Sequence, residues 1–340
     1  MKLPESSRIQ LTPDLNICRI LNGMWQVSGG HGRINRKQAI ASMFDYMDAD
    51  FTTWDLADHY GPAEDFIGEF RQQIIHQRGP EALANLQAFT KWVPRPTKMT
   101  RQVVEENIDI SRQRMGVESL DLMQFHWWEY GNPNYLDALK YMAELQAEGK
   151  IKHLALTNFD TEHLKIILDS GINIVSNQVQ FSVLDRRPEV KMVKFCQENN
   201  IKLFAYGTLG GGLFSEKYLG KSEPGWGMFQ TASLNKYMNM VKAWGDWTLF
   251  QSLLQTLKEI ADKHGVSIAN VAVRYVLENP AVAGAIVGAR LGVSQHIEDN
   301  AKVFEFSLDA EDVEKIQAIG ERSRNLFELI GDCGDEYRRR

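Results

Sequence analysis

Residues 152–159 read Lys152-His-Leu-Ala-Leu-Thr-Asn-Phe159, a short apolar run that ends on polar side chains, and helical spacing follows at once from His163 to Leu168. The same unit recurs on either side. Upstream, Cys18 to Trp25 precedes a helical pattern over Arg36 to Tyr46, and Phe51 to Leu56 precedes one over Glu64 to Ile75. Leu86 to Trp92 comes before Val104, Ile108, Ser111 and Met115, which share one helix face, and Leu120 to Trp127 comes before Tyr135 to Gln146. Downstream, Ile174 to Val179 is followed by Glu189 to Glu198, and Lys202 to Tyr206 by helical patterns near Leu249–His264 and Ile268–Leu277. Gly284 to Val287 leads into Val293 to Val303. A last helix starts at Asp309, whose side chain can cap it, has the acidic Asp312 in its first turn and runs to about Ile319.

Eight strand–helix alternations without a linker predict an α/β protein, a (β/α)8 TIM barrel closed by a parallel sheet. An open, doubly wound sheet is the competing architecture, but no change of composition marks the second domain that it usually needs. The expectation is one domain over residues 1–340, with a barrel core over about 15–320 and a C-terminal tail over about 321–340. The stretch from Gly207 to Asn235 has no clear period and predicts a long loop after the seventh strand, a kind of segment that is commonly functional.

Composition narrows the function classes. The 340 residues are 44% hydrophobic and 24% charged, with 26 Gly and 10 Pro, which excludes a disordered or collagen-like chain. A net charge of −6 gives no general attraction to nucleic acid or anionic lipid. No apolar run approaches the roughly 18–20 residues that span a bilayer. The N-terminus Met1-Lys-Leu-Pro-Glu5 lacks the apolar segment of a signal peptide, and three scattered cysteines, Cys18, Cys196 and Cys333, fit a reducing compartment. These features predict a cytoplasmic protein without membrane or nucleic-acid partners, a monomer or homo-oligomer.

In such a barrel the chemistry collects at the C-terminal ends of the strands. There the sequence places Asp55 and Tyr60 after the second strand, Lys91 at the end of the third and His126 at the end of the fourth. A tyrosine hydroxyl, ordinarily near pKa 10, becomes a usable general acid if a neighbouring ammonium stabilises its anion. Lys91 is expected to lower the pKa of Tyr60, Asp55 to hold the lysine, and His126 to donate to a carbonyl oxygen and orient it. None of the four supplies a hydride, so the electrons must come from a cofactor. Asn158 and Gln178 suit a carboxamide, Tyr206 offers a flat face for a planar ring, and Gly210-Gly-Gly212 lets backbone N–H groups approach a pyrophosphate. Arg290 is the candidate for an adenosine 2′-phosphate. Asp55, Asp58 and His59 are packed too closely in sequence to converge on a metal, and none is expected.

These residues resemble the aldo-keto reductase superfamily over nearly the whole chain. Asp55, Tyr60, Lys91 and His126 match its tetrad, the run Asp55-Leu-Ala-Asp-His-Tyr-Gly-Pro-Ala-Glu64 is similar to its signature, and Gly149 to Phe159 matches the segment that ends in its carboxamide-binding pair, here Thr157 and Asn158. The resemblance implies a barrel that reduces an aldehyde or ketone with NADPH, NADH being the lesser choice. It places the cofactor against Gly23, Met24, Asp55, Thr157, Asn158, Gln178, Tyr206, Gly207, Leu209, Gly210, Gly212, Gly288, Arg290, His296, Asp299 and Asn300, and the substrate against Trp25, Trp92 and Trp127. Substrate choice is expected to come from loops around Trp226–Phe229, Trp244–Trp247 and the tail from Phe327 onward. Gly207 stands where the family often has Ser. Two other functions fit the same residues: a cofactor-binding partner subunit with little turnover, and an aldolase with Lys91 as a Schiff-base amine.

Overall fold

The computed structural model describes residues 2–30, 32, 34–225 and 231–338; the expected loop contact at Trp226–Phe229 lies outside them. Eight parallel strands close into a barrel: β1 (Ile20–Gly23), β2 (Thr53–Asp55), β3 (Gln87–Trp92), β4 (Leu120–His126), β5 (Ile151–Thr157), β6 (Ser176–Gln180), β7 (Lys202–Tyr206) and β8 (Val282–Gly288). Each pairs with its neighbours in chain order, and β8 returns to β1, with Ala285 opposite Ile20 and Gly288 opposite Gly23. The predicted barrel is therefore present, and the open sheet is excluded.

Alternation along the strands sorts their side chains into layers. Leu21, Phe89, Leu122, Ala155, Phe204 and Ala283 form one apolar cluster, with the Phe89 and Phe204 rings 5.8 Å apart. Leu15 and Ile17 join it from an antiparallel hairpin, Arg8–Thr12 paired with Leu15–Cys18, that closes the N-terminal end of the barrel. The sequence pattern had assigned Cys18 to the first strand; it ends the hairpin instead. Two residues further along the same strands, Lys91, Gln124, Thr157 and Tyr206 stand one layer higher, at the C-terminal rim. The intervening Trp92 and Phe125 belong to the larger cluster, packed against each other at 5.6 Å.

The helices pack around this sheet, and side chains at their N-termini set several starts. Asp160 accepts from the His163 N–H at the head of α5 (Thr161–Asp169), and Asp309 and Asp312 form a reciprocal capping box on α11 (Ala310–Glu321), as the sequence implied. The stretch after β7 is more ordered than expected. A tight turn over Gly210–Gly212 leads, beyond the residues not described, into α7 (Ala232–Trp244), capped by Thr231. Its buried positions include Met238, Met240, Val241 and Trp244. Trp244 is core, and the Trp247 indole N–H donates to the Lys221 carbonyl, so both serve packing. Among the described residues no helix is long and apolar enough to cross a membrane.

One close approach tests the packing. A Cβ on Gly68, in α2 (Ala63–Arg78), would lie 2.1 Å from the Arg114 carbonyl oxygen in α3 (Arg101–Met115). Gly68→Ala must spread the two helices, and overpacking of this kind typically costs about 1–3 kcal/mol. A urea or thermal unfolding curve should show that loss; an unchanged midpoint would contradict the contact.

Candidate active site

The rim is built around a buried ion pair. Lys91 Nζ donates to Asp55 Oδ2 and to the Leu56 carbonyl, each at 2.7 Å, and both side chains are almost fully buried. The other carboxylate oxygen, Asp55 Oδ1, accepts from Gln124 Nε2 at 3.0 Å and from Gln178 Nε2 at 2.7 Å, and Gln178 also donates to Gln124 Oε1 at 2.8 Å. A carboxylate in a low-dielectric interior needs such donors. Gln178, expected to hold a carboxamide, thus spends its amide N–H groups inside the protein. Gln124 was not assigned a role from the sequence; it stands two residues before His126, on the same side of β4.

Tyr60 lies beside this pair, with Lys91 Nζ 5.1 Å from its ring centroid. Burial, helped by the Asp55 carboxylate, pushes the Tyr60 pKa well above its ordinary value. The expected lowering by Lys91 is therefore not what this arrangement does, because Asp55 already offsets the ammonium charge. Burial also lowers the pKa of Lys91, against the pull of Asp55. The two shifts run in opposite directions: a phenol that holds its proton and an ammonium that holds its own less firmly.

His126 Nδ1 lies 3.1 Å from the Thr157 carbonyl oxygen, which can only accept, so Nδ1 carries the proton. Burial depresses its pKa to about 4, so the ring is neutral near pH 7 and Nε2 presents a lone pair. Nε2 is buried and meets no protein partner. The expectation that His126 donates to a carbonyl is corrected: donation from Nε2 would need the imidazolium. Trp128 packs edge-on to His126 at 4.4 Å.

The aromatic wall differs from the one expected. Trp25 is exposed and lies edge-on to Tyr60, centroids 5.0 Å apart, at the mouth. Trp92 and Trp127 are core residues instead; the Trp127 indole N–H donates to the Glu129 and Asn132 carbonyls. The period of two explains the miss, since Lys91, His126 and Trp128 alternate with Trp92 and Trp127.

The residues expected to hold a cofactor divide into two groups. Thr157, Asn158, Gln178 and Tyr206 converge at the ends of β5, β6 and β7. Asn158 has a φ of 59°, a left-handed conformation that Asn tolerates, and Tyr206 donates to its Oδ1 at 2.8 Å. Thr157 Oγ1 and Thr208 Oγ1 are buried without a protein partner, as polar atoms that await a ligand would be. Gly207 has a φ of 76°, and a Cβ there would lie 2.6 Å from the Tyr237 hydroxyl, so this position has no room for a family-type Ser. Leu209 and Gly210 begin the turn that Gly212 ends, beside Gly211, where a Cβ would meet the Tyr237 ring.

The second group lies around the ends of β8 and β1. Arg290 and His296 are exposed, and Arg290 bridges to Ser294. Asp299 is committed to the protein: its carboxylate accepts from Ser267 Oγ, and its carbonyl accepts from Asn270 Nδ2. The Asn300 N–H donates to the His296 carbonyl. Met24 is core, its N–H bonded to the Asp55 carbonyl, while Gly23 abuts Ile286 and Gly288 abuts Gln26.

The C-terminal tail, foreseen only as a possible source of specificity, enters the mouth. Tyr206 Oη bonds to Glu336 Oε1 and to Tyr337 Oη, each at 3.2 Å, and Lys236 of α7 donates to Tyr337. Lys236 Nζ sits over the Tyr206 ring, 4.8 Å from its centroid. Arg187 joins the tail to the barrel, pairing with both oxygens of Asp185 at 2.8 Å and with Glu336 at 3.0 Å. Among the described residues no group of three or more acidic, His or Cys side chains is placed to hold a metal.

A parallel barrel with a lysine, a carboxylate, a tyrosine and a histidine at the C-terminal ends of its strands is the arrangement that the sequence resemblance implies. The model of the Aldo/keto reductase family matches residues 19–321, and the chain belongs to that family. As a member it is an oxidoreductase that acts on carbonyl or alcohol groups. An NADH-specific methylglyoxal reductase from Escherichia coli is 21% identical over 336 residues, which cover 91% of this chain and 97% of the relative. Flagellar radial spoke protein 5 from Chlamydomonas reinhardtii is 27% identical over 257 residues, 65% of this chain; the match spans 49% of that longer protein. Among solved structures, a glycerol dehydrogenase from Gluconobacter oxydans superposes with a TM-score of 0.73 at 20% identity, covering 97% of this chain and 98% of that one. A Klebsiella pneumoniae aldo/keto reductase in complex with NADP and acetate gives 0.69 at 20% identity, covering 92% and 95%.

Two stability predictions follow from the buried charges. Lys91→Met strands the Asp55 carboxylate and should cost about 3–5 kcal/mol, most of it recovered in the Lys91→Met/Asp55→Asn double variant. Urea unfolding of the two variants measures the difference, and equal losses would show that the pair is not the cause. His126, with a pKa of about 4 when folded and near 6.5 when unfolded, takes its proton first in the unfolded chain. Its contribution is intact above pH 6.5 and is lost as pH falls toward 4, so His126→Gln should lose less stability over that window than the parent.

Proposed function

We propose that the chain is an NADPH-dependent carbonyl reductase and that residues 1–340 act as one catalytic unit. The observation that carries this reading is the buried Lys91–Asp55 pair with Tyr60 beside it at the C-terminal rim, where His126 ends β4. When bound, NADPH supplies the hydride that attacks the carbonyl carbon. Thr157, Asn158, Gln178 and Tyr206 would hold its nicotinamide end, with Thr157 Oγ1 as a ready polar contact, and Gly207 to Gly212 its pyrophosphate side. Arg290 and His296, exposed beside β8, suit a 2′-phosphate, which supports NADPH over NADH. The Klebsiella structure, with NADP bound, supports the same choice.

Tyr60 is the general acid. Burial makes it a weaker acid than a free phenol, but the developing alkoxide is a far stronger base than a phenolate and still takes its proton. Lys91, with its pKa lowered, can return a proton to the phenolate, while Asp55 holds it in place. His126 contributes an acceptor at Nε2, which suits the hydroxyl of the alcohol formed, or of the alcohol when the reaction runs in reverse. Trp25 and Trp128 line the substrate side. An aldolase is disfavoured because Lys91 Nζ is buried and already bonded to Asp55 and Leu56. The small dicarbonyl substrate named for the Escherichia coli relative supports a small, polar carbonyl compound here.

Tyr60→Phe removes the acidic proton and leaves the ring. Aldehyde-dependent oxidation of NADPH should fall by about 10²-fold or more, with NADPH affinity kept within a few-fold. Undiminished turnover would remove Tyr60 from the mechanism.

A further inference from the structure

The tail does more than border the mouth. Tyr337 lies between the two groups that should face the reacting atoms. Its hydroxyl is 3.2 Å from that of Tyr206, the expected shelf for the nicotinamide, and its ring is 6.1 Å from His126 and 6.4 Å from Trp128 on the substrate side. The segment also takes up the polar groups that a cofactor would use. Glu336 and Tyr337 occupy the Tyr206 hydroxyl, and Lys236, bonded to Tyr337, covers a face of the Tyr206 ring. Gly334, at a φ of 87°, presses on the Asn158 backbone so closely that a Cβ would come within 2.0 Å of its carbonyl oxygen.

We infer that residues 334–338 are a displaceable plug that occupies the nicotinamide end of the cofactor site, so that cofactor and tail compete for Tyr206 and Asn158. This inference rests on the NADPH reading above. The latch is specific. Glu336 bridges Arg187 and Tyr206, Arg187 also donates to the Asp332 carbonyl at 3.1 Å, and Arg338 donates to the Trp127 carbonyl at 2.8 Å while its guanidinium lies 3.9 Å from the centre of the Tyr130 ring. Burial works against ionisation, but the charge and hydrogen bond of Arg187 together with the Lys236 charge hold the Glu336 carboxyl below the usual range, so the latch stays ionised near neutral pH. Cys333, buried just before the plug, and α12 (Leu326–Ile330) keep the tail attached when residues 334–338 leave. Release of residues 334–338 breaks the hydrogen bonds of Glu336, Tyr337 and Arg338 and leaves α12 in place. Departure of Tyr337 and Glu336 would leave Lys236 beside Tyr206 as an unmatched cation, a further reason for an anionic cofactor to replace them.

A ligand that binds only the open form has its affinity reduced by the open fraction. NADPH titration by fluorescence should therefore show tighter binding, by about tenfold if the plug is seated in about nine molecules of ten, for a chain that ends at Cys333 and for full-length Tyr337→Ala and Glu336→Gln. Amide exchange over residues 334–338 of the unaltered chain should speed up when NADPH is added. Unchanged or weaker affinity in the folded variants, or slower exchange with NADPH, would overturn the plug and make the tail part of the closed cofactor site. Absence of NADPH binding in every folded form would overturn the cofactor reading and the plug with it, so the two failures are told apart.

Discussion

The contact between Lys91 and Asp55 constrains the rest of the rim. Two opposite charges sit at the top of a lumen whose next layer down is Phe89, Leu122, Ala155 and Phe204. Their removal from water is costly, and mutual attraction alone rarely offsets it. The fold answers by bringing two amides from different strands, Gln124 and Gln178, to the free carboxylate oxygen and the Leu56 carbonyl to the ammonium. Every one of these partners is supplied by closure of the barrel. The ion pair in turn gives Tyr60 a neighbour whose charge is already balanced, and this is why burial dominates the phenol and keeps it protonated.

The same need for satisfied polar groups explains the rest of the mouth. His126 donates a hydrogen bond from Nδ1 to the Thr157 carbonyl and keeps an unpaired Nε2, while Thr157 Oγ1 has no protein partner. The Tyr206 hydroxyl and Asn158 Oδ1 are bonded to each other, and the tail adds further bonds to the hydroxyl. The rim thus has a half whose buried polar atoms lack protein partners and a half that the chain fills with its own Glu336 and Tyr337. Rigid strands position the first half. The segment that follows α12 fills the second.

Much of this was legible in the primary structure. The eight strand–helix units follow from local periodicity, and β7 is found over the expected residues, Lys202 to Tyr206. Asp55, Tyr60, Lys91 and His126 are legible because they are polar residues at or just after the ends of apolar strand segments. Errors arose where more distant contacts decide. Trp92 and Trp127 are aromatics at strand ends, but alternation turns them away from the lumen and brings Trp128 toward it. Asp299 looked free to hold an adenine group, yet Ser267 and Asn270 claim it from another helix. α7 was hidden in a stretch that begins with glycines and carries methionines at its buried positions.

The order of residues by itself determined the barrel class, the family and the chemical types at the rim, because strand and helix periods and short motifs are properties of neighbours in the chain. Tertiary structure alone decided protonation and access. The high pKa of Tyr60, the tautomer of His126, the Gln124–Asp55–Gln178 network and the seating of Tyr337 against Tyr206 all depend on burial and on groups up to 131 positions apart in sequence. Electrostatic energies follow distance in space and exposure to water, and neither is set until the barrel has closed.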